Sequence, residues 1–235
     1  MATERVAGIL GGLGPEATVD FMSKVVAATD ASCDQEHIHM LVDHNPSVPN
    51  RHAAIAGEAP SVAPQLVAMS QRLERAGADF LVMVCNTAHA YSADIRAAIS
   101  IPFISIIDVS IEALGPQTGQ CIGVMAAEGC LRAGLYQDAL LAAGHEAITW
   151  NDAELEQFMD LVYRVKAGER DNDIGTGMRK LAASLEFSGA ELLLAGCTEI
   201  PLFLQSSDIS VPLLASTDLL VHRTIALARG QMELH

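Results

Sequence analysis

Charge is scarce in this 235-residue chain and positive charge scarcer still. Only 18% of residues are charged, with 14 basic against 29 acidic side chains and a formal net charge of −15. That count speaks against a nucleic-acid partner, because phosphate recognition needs clustered Lys and Arg. A small anionic ligand needs only one or two placed cations, so that class stays open. Long apolar runs are missing too. None approaches the roughly 18–20 residues that cross a bilayer, so no membrane partner is expected. The start, Met1 to Arg5, is charged and lacks the character of a secretory leader. The five cysteines, Cys33, Cys85, Cys121, Cys130 and Cys197, are an odd set without a Cys-x-x-Cys pair. That speaks against a disulfide scaffold or zinc ribbon and for a reduced, cytoplasmic setting.

What is present is a core and a repetition. Half of the residues are hydrophobic, ample for a packed interior. The run Phe80 to Val84 ends at Cys85 and is followed at once by the helix-starting residues Asn86 and Thr87. The same pattern returns at Leu192 to Gly196, with Cys197 and then Thr198 and Glu199. Val6 to Leu10 is echoed by Cys121 to Met125, Ile101-Pro102-Phe103 by Val211-Pro212-Leu213, and Asp108 by Asp218. These landmarks recur in order about 110 to 115 residues apart, the mark of two equivalent halves.

Short apolar strands alternate with helical patterns, which predicts an α/β fold with mainly parallel sheets. Each half is read as a four-stranded sheet flanked by helices, giving two similar, pseudo-symmetric α/β domains with a cleft between them. The first half is expected to hold strands at 5–10, 37–42, 80–84 and 101–107, with helices over 17–28, 61–77 and 88–99. Gly115-Pro116-Gln117-Thr118-Gly119 marks the crossover. The second half is expected to hold strands at 121–126, 145–150, 192–195 and 211–215, with helices over 129–143, 152–167 and 176–187. A last helix, 218–229, should return to the first half, and the tail from Gly230 should fray. The domains are therefore set at 1–114 plus 216–235, and 115–215.

Several motifs invite chemistry. Gly11-Gly12-Leu13-Gly14-Pro15-Glu16 suggests a dinucleotide turn, but Ala17 stands where the third glycine would fall. A turn whose backbone amides face a carboxylate fits better. His37, His39 and His44 complete no recognisable ligand set, so no metal is expected. Arg51 is the one cation of the polar loop 43–52, at a strand's carboxyl end where open α/β sheets bind ligands. Two cysteines at matched strand ends can face each other across a cleft. Inverting a carbon centre through a planar carbanion needs such an acid and base on opposite sides. Helix amides would pull both thiols toward neutrality, and His89 and Glu199 lie close enough in sequence to assist. The plainer role for each thiol taken singly is core packing; their repetition at matched positions favours chemistry. Cys33, Cys121 and Cys130 lack that matched context, though Cys130, beside Gly129, could line the pocket.

Gly8 to Thr18, Cys85-Asn86-Thr87-Ala88-His89 and Ala195 to Pro201 resemble the signatures of the aspartate/glutamate racemase family, closest to its aspartate racemase branch. The resemblance covers nearly the whole chain. It implies an isomerase with its active site between the two domains, no cofactor, no metal and a homodimer. It makes Cys85 and Cys197 the acid–base pair, Cys197 acting on the L enantiomer and Cys85 on the D. It further implies that Arg51 and Lys166 hold carboxylates, and that Leu13, Asn86, Thr87 and Thr198 contact the amino-acid substrate. Asn50-Arg51-His52 stands where the family often has Asp-Arg-Thr, and Cys130 where it often has threonine. Both departures bear on the side chain accepted. Two other readings remain open, a related enzyme such as a hydantoin racemase or maleate isomerase, and a two-domain binding protein whose cysteines merely line a cleft. Fast iodoacetamide alkylation blocked by aspartate would mark the enzyme.

Overall fold

A computed structural model describes residues 4–234. Residues 1–3, part of the start expected to lack a leader, and residue 235, the end of the tail, lie outside the described residues. The first half runs β1 (Ala7–Gly11), α1 (Pro15–Ala28), β2 (Met40–His44), α2 (Arg51–Ile55), α3 (Ala63–Arg75), β3 (Phe80–Met83), α4 (Ser92–Ala98), β4 (Phe103–Ile104) and α5 (Ile106–Glu112). The second runs β5 (Cys121–Ala126), α6 (Glu128–Arg132), α7 (Leu135–Ala142), β6 (Glu146–Ile148), α8 (Asp152–Lys166), α9 (Asn172–Phe187), β7 (Leu192–Gly196), β8 (Leu213–Ala215) and α10 (Ser216–Ala228).

Two four-stranded sheets result, ordered β2-β1-β3-β4 and β6-β5-β7-β8, with every pairing parallel. The repetition in sequence is thus a repetition of topology. It extends to atomic packing. A Cβ on Gly8 would fall 2.4 Å from Leu81 Cδ2 and 2.8 Å from the Ala78 Cβ. One on Gly123 would fall 2.5 Å from Leu193 Cδ2 and 3.0 Å from the Ala190 Cβ. Both central strands need glycine for the same close approach of the neighbouring strand. Residues buried on both faces explain why β1 and β3 read as unbroken apolar runs.

Three local expectations change. Ile101–Ile107 is not one strand: only Phe103 and Ile104 pair, and Ser105 then caps α5 by accepting from the Asp108 N–H at 3.2 Å. The expected helix over 129–143 is broken by Gly134 in the left-handed region, φ 65°. The tail through Leu234 is tethered rather than loose, since Arg5 donates to the Met232 carbonyl at 2.7 Å and pairs with Glu233 at 3.6 Å. The helices that follow β4 and β8 cross over: α5 packs on α7 of the second half, and α10 packs on α1 and α5. Among the described residues no helix is long and apolar enough to cross a membrane.

Candidate active site

In each sheet the strand order reverses between the first and third strands, β1 and β3 or β5 and β7. A crevice opens at the carboxyl ends of strands at such a reversal. Cys85 follows β3 and Cys197 follows β7, so each sulfur sits at its half's crevice. A single cleft gathers Leu13, Arg51, Cys85, Asn86, Thr87, Lys166, Cys197 and Thr198, all eight residues singled out by sequence. It also takes in Glu199, already a candidate helper by its nearness to Cys197, and adds His52, Ala127 and Gly196. Cavities of about 290 and 330 Å³ lie elsewhere, against Arg5 and Arg229 and against Lys24 and His222, and neither contains a cysteine.

The glycine-rich turn is shaped by its neighbours. Gly12 has φ 83°, and a Cβ there would meet the Asn45 backbone at 2.5 Å. Its N–H donates to Thr18 Oγ1 at 2.8 Å, so this amide is spent inside the turn rather than offered to a ligand. Gly14 lies against the Glu199 carboxylate. Arg51 stitches the turn to the loop before α2, donating to the carbonyls of Leu13 at 2.7 Å, Val48 at 3.1 Å and Pro49 at 2.9 Å. Its Nε is buried and has no partner among the described residues. Lys166 ends α8, a helix opened by an Asn151–Glu154 capping box, where the helix dipole favours a cation.

The second cysteine is held in a charged cluster. Cys197 Sγ donates to Glu199 Oε2 at 3.1 Å, Thr198 Oγ1 donates to the same oxygen at 3.1 Å, and Lys166 Nζ lies 3.6 Å from Glu199 Oε1. Burial and the Glu199 charge push the Cys197 thiol well up, against the lowering effect of Lys166. The sequence expectation of a lowered pKa therefore reverses for Cys197 in this closed cleft. The segments after the cysteines are short 3₁₀ turns, Thr87–Tyr91 and Ile200–Leu202, and at Cys197 desolvation and the Glu199 carboxylate outweigh what the turn's amides supply. Burial pulls Lys166 down, but Glu199 and the two cleft cysteines outweigh it, so the ammonium is retained.

The two histidines differ. His89 points away from the cleft: its Nε2 accepts from the Ile106 N–H at 3.1 Å, so its proton is on Nδ1, which donates to the Cys85 carbonyl at 2.8 Å. It fixes the Cys85 backbone against the start of α5. Burial lowers its pKa to about 4. The unfolded chain takes up this proton first, so stability present above pH 6.5 is lost as pH falls toward 4, by about 3 kcal/mol at most. The urea midpoint of wild type is expected to drop more steeply over that window than that of His89→Gln; parallel curves would contradict this. His52 lines the cleft, with its pKa lowered to about 4 by burial, Lys166 and Arg51. Cys130 does not line the cleft and belongs to the apolar core, its thiol pushed up by burial.

Contacts at the rim of the cleft close the halves on each other. The Gly129 N–H donates to His52 Nδ1 at 3.1 Å, Asn50 Nδ2 reaches Tyr163 Oη at 3.4 Å, and Arg170 pairs with Glu16. The free space left between the lining side chains is about 10 Å³, room for a single water. A larger ligand needs the lining side chains or the halves to move apart. Among the described residues no three His, Cys, Asp or Glu side chains gather as metal ligands.

Known proteins share this fold. The Asp/Glu/Hydantoin racemase family model matches residues 10–224. The chain is 25% identical over 223 residues to the broad specificity amino-acid racemase RacX of Bacillus subtilis (strain 168), covering 93% of this chain and 96% of that one. The fold matches Picrophilus torridus aspartate racemase with a TM-score of 0.83 at 24% identity, covering 98% and 96% of the two chains. It matches Francisella tularensis glutamate racemase, solved with D-glutamate, with a TM-score of 0.70 at 13% identity, covering 97% and 81%. The chain belongs to the Asp/Glu/hydantoin racemase family.

Proposed function

We propose that this protein is an amino-acid racemase that interconverts the enantiomers of aspartate, glutamate or a close relative, using Cys85 and Cys197 as paired acid and base and no cofactor. The observation that supports it most is the meeting of two strand-end sulfurs, one from each half, in one cleft with Lys166 and Arg51. In the working state one sulfur is a thiolate and the other a thiol. The thiolate takes the α-proton, the C–H electron pair spreads into the carboxylate, and the opposite thiol returns a proton to the other face. One proton is removed and one returned, so each turnover swaps the two sulfurs' states. Lys166 and the free Nε–H of Arg51 offset the charge that builds on the carboxylate. Glu199, accepting from the Cys197 thiol, is the group that can take up its proton before it acts as base. The family description spans hydantoin as well as acidic amino acids, and a free carboxylate in the substrate is what the two cations favour.

Chiral chromatography after incubation with L-aspartate, L-glutamate and a neutral amino acid tests the reading. The D form is expected from at least one acidic amino acid, without added cofactor and undiminished by EDTA. Conversion of a hydantoin alone would overturn the substrate class. No conversion of any substrate would leave the binding-protein reading standing.

A further inference from the structure

Behind the two cysteine loops lies a tyrosine that the reaction does not use directly. Tyr136, on α7, is fully buried. Its hydroxyl donates to Asn86 Oδ1 at 2.6 Å. That length is typical of O–H···O and short for N–H···O, so the amide oxygen faces the phenol. Ser110 Oγ, whose own proton goes to the Ile106 carbonyl at 2.7 Å, could take the phenol proton only as an acceptor, and at 3.4 Å it is far the longer of the two contacts. The phenol proton is thus committed to Asn86. Burial raises the Tyr136 pKa, which keeps that proton in place.

Two consequences meet at the cleft. With Oδ1 held, Asn86 Nδ2 is turned to the other side, where it is buried and has no partner among the described residues. Asn86 itself lines the cleft and is only 3% exposed. The Tyr136 ring, meanwhile, lies against Gly196, the residue before Cys197; a Cβ on Gly196 would fall 2.6 Å from Tyr136 Cε2. One side chain of the second half therefore touches the residue after Cys85 and the residue before Cys197.

We infer that Tyr136 is a positioning residue, which locks Asn86 with its N–H donors toward the substrate and couples the two cysteine loops. Without the phenol, Asn86 can rotate and present its oxygen, an acceptor, to an anionic substrate. This inference rests on the proposed racemase reading, so its test separates the two. Exchange of the substrate α-proton by wild type is measured first. Tyr136→Phe keeps the ring and the packing on Gly196 and removes only the hydroxyl. It is expected to lose roughly tenfold in kcat/KM, while in an Asn86→Ala background the same change costs less than about twofold. Equal losses in both backgrounds, or no loss in the first, would overturn the proposal. The side-chain amide signals of Asn86, read by NMR in selectively labelled protein, should shift and begin to exchange in Tyr136→Phe. Unmoved signals would overturn it regardless of activity. If wild type shows no exchange with any amino acid, the racemase reading falls, and the amide signals alone decide on the tie.

Discussion

Exchanging either sulfur for oxygen, in Cys85→Ser or Cys197→Ser, is expected to cut interconversion of the enantiomers by about 10²–10⁴-fold. A hydroxyl is far too weak an acid to reach the thiolate's state near neutral pH. Because the reaction is reversible, both directions must fall together in each variant. The two variants differ in what they keep. Cys85→Ser retains the base expected to face the L enantiomer, so it should still wash the α-proton out of L substrate in D₂O faster than out of D. Cys197→Ser should show the reverse preference. Both thiols sit in buried positions, 7% and 6% exposed, and serine is nearly isosteric, so folding should survive and circular dichroism should confirm it. A variant that still racemised at the wild-type rate would remove that sulfur from the chemistry.

Glu199→Gln is expected to separate thiol reactivity from turnover. In the native cleft the Glu199 carboxylate accepts from Cys197 and faces Lys166. Its charge is one of the causes that raise the Cys197 pKa, after burial, whereas Lys166 lowers it. Removing the carboxylate leaves Lys166 opposed by burial alone, so iodoacetamide should alkylate Cys197 at lower pH than in wild type. Turnover should nevertheless fall by about 10²-fold, because the acceptor for the Cys197 proton is gone. A thiol more reactive in an enzyme that is slower is the signature sought. An unmoved alkylation profile, or retained turnover, would show that Glu199 acts only as a structural partner of Lys166.

The parts of this molecule readable from sequence were those written twice. The strand that ends at Cys85 and the strand that ends at Cys197 are apolar on both faces, and that continuous burial marks central parallel strands. Their repetition at matched positions brought out the cysteines, which alone would look like ordinary core thiols. Helix α5 was hidden because Ile106, Ile107 and Val109 are β-branched and continue the apolar run of β4; the signal that separates them is Ser105 with Asp108 three residues on. His89 was drawn toward the site by its nearness to Cys85 in the chain. The 3₁₀ turn that follows Cys85 carries its ring back to the Ile106 amide instead. His52 was visible only as a departure from a motif, and nothing local shows that it accepts from Gly129 across the cleft. Tyr136 has no sequence signal at all. Its contacts with Asn86 and Gly196 join segments far apart in the chain, which only the packing of α7 beneath both loops brings together.

The most direct test of the two-sided mechanism is where deuterium first appears. With L substrate in D₂O, early samples are separated into enantiomers and each pool is examined by mass spectrometry. Two cysteines on opposite faces predict deuterium at the α-carbon of the D product, while the remaining L substrate gains it far more slowly, because the sulfur that took the proton mostly returns it before exchanging with solvent. Deuterium appearing equally in both pools, or D product that carries the original proton, would mean that one base serves both faces and would contradict the paired roles of Cys85 and Cys197.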